Sequence, residues 1–189
     1  MNKNICRLAG KQIYLSILRD DDWAVSKYIE WMSNEATALN MEKNNKIIDV
    51  SEMPGWCHDS TVSRMGIVYK DGDVLIGYCH IEHRAKDMAA WLSINIGNPE
   101  YRGRHLGEDV MQVLIKYCFL ELGVFSCHLD VLECNKAAIA CYEKVGLRVT
   151  GRYRKHGFHN GKPHDWLHMD IIDTEFFELY GEDGQGSNS

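Results

Sequence analysis

The stretch NPEYRGRHLGEDV, Asn98 to Val110, places Arg102, Arg104 and His105 among Gly103 and Gly107, where an apolar, strand-like run gives way to a helix-like one. A strand that stops at such a turn and feeds directly into a helix leaves the first backbone N–H groups of that helix without acceptors of their own. Those donors, the consecutive amides of the turn and the helix dipole form a seat for an anion. The dipole alone is worth roughly 0.3–1 kcal/mol to a negative group placed there. Arg102 and Arg104 add mobile positive charge beside it. A glycine pair by itself also fits an ordinary turn with solvated arginines, so the surrounding pattern has to decide. Further along, Asn135 can cap a helix that carries Ala138 and Tyr142, while Glu82, His80 and Glu133 are the acid–base candidates. HIEH (His80 to His83) and the scatter His156, His159, His164 and His168 have metal-binding side chains, but neither follows the spacing of a closed site. No metal is expected.

The elements that must position these groups are legible in the periodicity. Asp20 or Asp21 can start a helix near 21–33 whose face is Val25, Tyr28, Ile29 and Met32. From Glu35 to Ser60 the pattern is broken by Asn40, Asn44, Asn45, Pro54 and Gly55, with a short helix around Trp56 the only suggestion of order. GIVYKDGDVLIGYCHIEH reads as a hairpin, Gly66 to Lys70 and Val74 to His83, turning at Asp71 and Gly72. Ala89 to Gly97 alternates as a third strand. Val110, Val113, Leu114 and Tyr117 carry the clearest helix to about Leu122, and Gly123 ends it. Val124 to Leu132 is a strand, and the helix capped by Asn135 stops at Gly146. A strand follows from Leu147 to Lys155, then a loop containing HNGKP and a last strand from Asp165 to Ile172. Helix, strands, helix, strand, helix and two strands give a single α/β domain over residues 1–180, built on a mixed, mostly antiparallel sheet flanked by helices. The Gly/Ser-rich residues 181–189 form a flexible tail.

Bulk properties narrow the function. A chain of 189 residues, 45% hydrophobic and 25% charged, can bury a full core. Its formal charge of −6 offers no basic footprint for nucleic acid and mildly favours a cationic substrate. Nothing approaches the ~18 apolar residues of a membrane-spanning helix. The seven cysteines, an odd number without a CxxC pair, read as free thiols of a reducing cytoplasm.

Two motifs in order give these features a family. Arg102-Gly103-Arg104-His105-Leu106-Gly107 resembles the pyrophosphate loop of the GNAT superfamily of acyl-CoA-dependent N-acetyltransferases, Arg/Gln-x-x-Gly-x-Gly/Ala between a strand and a long helix. His105 stands where that family has glycine. We expect it to adopt the ordinary right-handed conformation, because a left-handed one costs ~1–2 kcal/mol. Downstream, ECNKAAIACYEKVGL resembles the family's Asn-x-x-Ala-x-x-x-Tyr-x-Lys-x-Gly-Phe signature through Asn135, Ala138, Tyr142, Lys144 and Gly146, with Leu147 in place of Phe. NPEYRGRHLG and FHNGKPHDWLHMDI are most similar to the branch of ribosomal-protein N-terminal and spermidine acetyltransferases.

The resemblance implies the rest of the site. Acetyl-CoA is the co-substrate, with its diphosphate on residues 102–107 and its pantetheine amides on main-chain groups around Ile94 and Ile96. Asn135 lies where two central strands splay apart, and Tyr142 donates to the departing thiolate. The acceptor is a small amine, a polyamine or a protein N-terminus, chosen by Glu35 to Ser60 and His156 to His164, and a homodimer is common in the family. A lysine-like amine needs ~4 kcal/mol to lose its proton at neutral pH against ~0.5 kcal/mol for an α-amino group, so a polyamine substrate needs a base more. Glu82 is the residue put forward, although the family often has an acid where this chain has Trp91. The alternative is a GNAT-fold module that binds acyl-CoA with weak catalysis or none.

Overall fold

The alternating apolar runs become strands of one sheet, and the periodic runs become helices against it. The computed structural model describes residues 4–18, 22–33, 62–159, 161–182 and 184. In chain order these form β1 (Cys6–Ala9), β2 (Ile13–Ile17), α1 (Asp22–Ser33), β3 (Val62–Tyr69), β4 (Val74–Arg84), β5 (Ala89–Ile96), a 3-10 turn (Pro99–Tyr101), α2 (Leu106–Leu120), β6 (Ser126–Leu132), α3 (Lys136–Lys144), β7 (Arg148–His159), β8 (Lys162–Ile172) and α4 (Asp173–Tyr180). The strands lie in the order β1-β2-β3-β4-β5-β6-β8-β7. β1–β2, β2–β3, β6–β8 and β7–β8 are antiparallel, whereas β5–β6 is parallel. A parallel pair needs a crossover, and α2 supplies it. This is the mixed α/β sheet expected from the sequence.

The parallel ladder is short. It pairs Ala89 with Ser126, Ala90 with Cys127 and Trp91 with His128, and then stops. β6 instead remains paired with β8 from Ser126↔Ile172 to Leu132↔Trp166.

Internal packing divides the chain into two compact units, Met1–His80 with Ser93–Val110 and Ile81–Leu92 with Met111–Ser189. In the first, Ile13, Leu15, Ile67 and Ile76 are fully buried, and Trp31 of α1 packs with Val68, Leu75 and Tyr78. In the second, Leu114, Ile115 and Cys118 of α2 and Phe176 of α4 are fully buried, with the Phe119 and Phe176 rings stacked at 4.6 Å. Cys79, Cys118 and Cys127 are buried, and none of the six described cysteines is in a disulfide.

Several elements differ from the sequence reading. β1, β2 and α4 were not anticipated. β1 is only four residues long and mostly exposed, too short to show a period, and it is recruited by pairing to β2. On α1, Trp31, which the expected stripe leaves out, is buried, whereas Tyr28 and Ile29 of that stripe are half-buried; the Trp31 ring lies over Gly97, where even a Cβ would come within 2.2 Å of it. The HNGKP loop shrinks to a hairpin, since β7 and β8 continue pairing to His159↔Lys162. Pro163 is tolerated there because β8 has already run past its last pairing with β6, at Leu132↔Trp166, and needs no donor on that side. Asp20, Asp21, Glu35 to Ser60 and most of the tail lie outside the described residues.

Candidate active site

In the first unit, the turn after β5 is built by local hydrogen bonds. Asn98 Oδ1 accepts from the Glu100 N–H at 3.1 Å, and the N–H groups of Tyr101 and Arg102 donate to the carbonyls of Asn98 and Pro99, each at 3.2 Å. The strand end is pinned as well. The Asn98 N–H donates to the Ile76 carbonyl at 2.9 Å, and β4 passes so near β5 that a Cβ on Gly77 would sit 2.0 Å from the Asn95 carbonyl oxygen. Only glycine fits at that approach.

Arg102 is not the mobile charge expected. Its guanidinium donates from Nε to the Ile96 carbonyl at 2.9 Å and from a terminal nitrogen to the Gly97 carbonyl at 3.2 Å. Burial pulls its pKa below the ordinary arginine value. The side chain therefore acts as a clasp between the turn and the strand, and it occupies the Ile96 carbonyl. Arg104 is exposed, with its guanidinium 5.0 Å from the centre of the Tyr101 ring.

The turn bends through two left-handed residues, Gly103 at φ +71° and His105 at φ +59°. The right-handed conformation expected for His105 is thus overturned. The chain must reverse direction within a few residues to enter α2, and the strain of ~1–2 kcal/mol is borne there. His105 Nδ1 lies 2.8 Å from Glu108 Oε1, and its side chain is 67% exposed, so the imidazole lies against the first turn of α2. Leu106 is buried and opens α2, with Gly107 next to it. Among the described residues, no acceptor is bonded to the backbone N–H of Gly103, Arg104, Leu106 or Gly107. These are the donors that an anion would engage.

Asp109, which the sequence reading passed over, fixes this helix start from behind. Its buried carboxylate accepts backbone N–H groups from Lys11 at 2.8 Å, Gln12 at 2.6 Å and Ile13 at 3.1 Å. A carboxylate in the first turn of a helix is the sequence signal that could have drawn attention to it.

The second unit holds the other motif. Asn135 caps α3 as expected, its Oδ1 accepting the Ala138 N–H at 3.2 Å, which leaves its Nδ2 outside the cap. Tyr142 is buried on the same helix. Burial pushes its hydroxyl above the ordinary phenol range, with a smaller push from the Cys141 thiol. A raised pKa makes outright proton transfer to a thiolate harder and favours a donated hydrogen bond. Of the base candidates, Glu133 is held below the usual carboxylate range by the Asp165 N–H and by Arg152. Glu82 Oε1 accepts from Arg84 Nε at 2.7 Å. His168 packs beside His128, which the sequence reading did not single out.

The matches to known proteins agree with the topology. The model of the acetyltransferase (GNAT) family matches residues 28–147, more than half of the chain and inclusive of both motifs. The chain belongs to the GNAT acetyltransferase family. A curated relative, the SPbeta prophage-derived uncharacterized N-acetyltransferase YokL of Bacillus subtilis (strain 168), is 28% identical over 76 residues, which are 40% of this chain and 43% of that protein. The chain thus matches less than half the length of that relative. Among solved structures, spermidine N-acetyltransferase from Vibrio cholerae in complex with CoA and spermine superposes with a TM-score of 0.77 at 20% identity, covering 87% of this chain and 97% of that one. The microcin C7 self-immunity acetyltransferase MccE in complex with acetyl-CoA and AMP gives 0.69 at 14% identity, over 86% and 93%. At those identities the likeness is one of GNAT fold. Among the described residues no helix is long and apolar enough to cross a membrane.

Proposed function

We propose that this GNAT protein transfers an acetyl group from acetyl-CoA to a primary amine by direct attack of the amine on the thioester. The observation that carries the reading is the set of unengaged N–H donors at Gly103, Arg104, Leu106 and Gly107, in a turn bent by two left-handed residues and clasped by Arg102. The diphosphate of CoA is the ligand such donors suit, with Arg104 adding charge. Main-chain groups at Ile94 and the N–H side of Ile96 serve the pantetheine arm, because the Ile96 carbonyl is already taken. Asn135 offers its Nδ2, and Tyr142 donates a hydrogen bond to the thiolate as it leaves.

The acceptor is a small amine, a polyamine or a protein N-terminus. Glu82 is the base, acting through water, with Arg84 orienting it. An α-amino acceptor would need it least. Thiol release from acetyl-CoA, followed over a panel of polyamines, small amines and N-terminal peptides, tests the proposal. Turnover with at least one amine supports it. Tight binding of acetyl-CoA without turnover on any of them would instead mark a non-catalytic acyl-CoA-binding module.

A further inference from the structure

In the second unit, side chains from β6 and β8 that point to the same side of the sheet form a polar cluster whose lone pairs converge. Register brings them together: His128 lies opposite Asp170, and Asp130 opposite His168. His168 Nδ1 donates to Asp130 Oδ1 at 2.7 Å, which fixes the tautomer and leaves the Nε2 lone pair as an acceptor. That lone pair lies 3.2 Å from His128 Nδ1, and the Asp170 Oδ2 is 3.9 Å from the same nitrogen. One ligand atom from each of His128, His168 and Asp170 lies within 4.8 Å of the others.

We propose that these residues form a divalent transition-metal site, with His128 Nδ1, His168 Nε2 and an Asp170 carboxylate oxygen as ligands and water completing the shell. Two ligands bonded at ~2.0–2.1 Å to a tetrahedral ion stand about 3.3 Å apart, so the two imidazole nitrogens are already at the right separation. Asp170 Oδ2 has to close in by about 0.6 Å toward His128 Nδ1 and by up to about 1.5 Å toward His168 Nε2, a movement that side-chain rotation supplies. Two imidazoles with one carboxylate select zinc or a similar borderline ion over magnesium or calcium.

The surrounding groups are those an ion-binding histidine pair needs. Asp130 behind His168 is the carboxylate–histidine pairing that orients a ligand and raises its basicity. His128 Nε2 lies 2.7 Å from Ser126 Oγ, Thr150 Oγ1 donates to Asp170 Oδ2 at 2.7 Å, and Trp91 stacks on the His128 ring at 4.4 Å. Without an ion, His128 Nδ1–H donates to His168 Nε2. With one, the same proton resides on Nε2 and is donated to Ser126 Oγ, whose hydroxyl turns away. The protein neither gains nor loses a proton in that exchange. None of the ligands belongs to the acyl-CoA set, so the site stands or falls independently of acetyl transfer.

The test uses the full chain, stripped with a chelator and titrated with zinc chloride alone. One ion per chain should bind, and histidine ring 15N spectra of the unmutated protein should show His128 Nδ1 and His168 Nε2 shifting while His168 Nδ1–H persists. His168→Gln and Asp170→Asn should each weaken zinc binding at least tenfold, and Asp130→Asn by about ten- to a hundredfold. If a variant fails to fold, the spectra of the unmutated chain decide. The proposal is overturned by no zinc uptake, by equal affinity in the His128→Gln/His168→Gln double variant, or by shifts that fall on His156, His159 and His164 instead.

Discussion

The turn from Asn98 to Gly107 and the polar face of β6 and β8 carry opposite surpluses of hydrogen-bonding groups. In the turn the surplus is of donors: backbone N–H groups at Gly103, Arg104, Leu106 and Gly107, with the local carbonyls of Ile96, Gly97, Asn98 and Pro99 already spoken for. On the β6–β8 face the surplus is of acceptors, with imidazole and carboxylate lone pairs of His128, His168 and Asp170 gathered around few protons. A surplus of donors suits an anion, and a surplus of acceptors suits a cation. The sign of a ligand can thus be read from which hydrogen-bonding partners a fold leaves over, even where net charge says little. The two regions also differ in how they are held. The turn is braced by side chains acting on backbone, Arg102 from one side and Asp109 from the other, whereas the β6–β8 face is braced by strand register.

That contrast can be broken or sharpened by substitution. The largest effect is expected from Asp109→Ala, which leaves the N–H groups of Lys11, Gln12 and Ile13 without their acceptor. Urea denaturation should show a loss of about 3 kcal/mol or more, and a loss under ~1 kcal/mol would show that the turn does not depend on this brace. Tyr142→Phe comes next. Its kcat should fall by about a hundredfold with acetyl-CoA affinity little changed, since the hydroxyl is needed only as charge develops on sulfur. Unchanged turnover would remove Tyr142 from the chemistry. The smallest effect is expected from His105→Gly, which relieves the left-handed strain. Stability should rise by up to about 1 kcal/mol, part of the strain being offset by the greater freedom of glycine in the unfolded chain, and acetyl-CoA should still bind. A clear fall in stability would mean that the bond to Glu108 outweighs the strain.

How much of this was legible beforehand follows from the same contrast. The turn is contiguous, so Arg102, Gly103 and Gly107 announce it within a dozen residues, and the cap at Asn135 and the burial of Tyr142 follow from helical period. What stayed hidden there was direction. Nothing in the sequence distinguishes an arginine that faces a ligand from one that turns back onto the carbonyls of its own strand, and His105 could not be assigned to the left-handed region from its type. The β6–β8 cluster was illegible for a different reason: His128 and His168 are far apart in sequence, and only the pairing of β6 with β8 makes them neighbours. Close spacing in the sequence therefore points to HIEH and not to His128. β1, β2 and α4 were missed because short elements carry too few residues to show a period, and partners elsewhere in the chain define them.

The central claim is that the amides of residues 103–107 hold the diphosphate of coenzyme A. Calorimetric titration of the unmutated chain with acetyl-CoA and, separately, with S-acetyl-pantetheine, which keeps the thioester and both pantetheine amides but lacks the diphosphate and the 3′-phosphoadenosine, tests it most directly, with adenosine 3′,5′-bisphosphate titrated alongside to read the nucleotide's own share. Several hydrogen bonds to a charged group, worth about 1.5–3 kcal/mol each, should make acetyl-CoA bind at least a hundredfold more tightly. Equal affinities for the two would contradict the assignment of the turn and, with it, the proposed acetyl transfer.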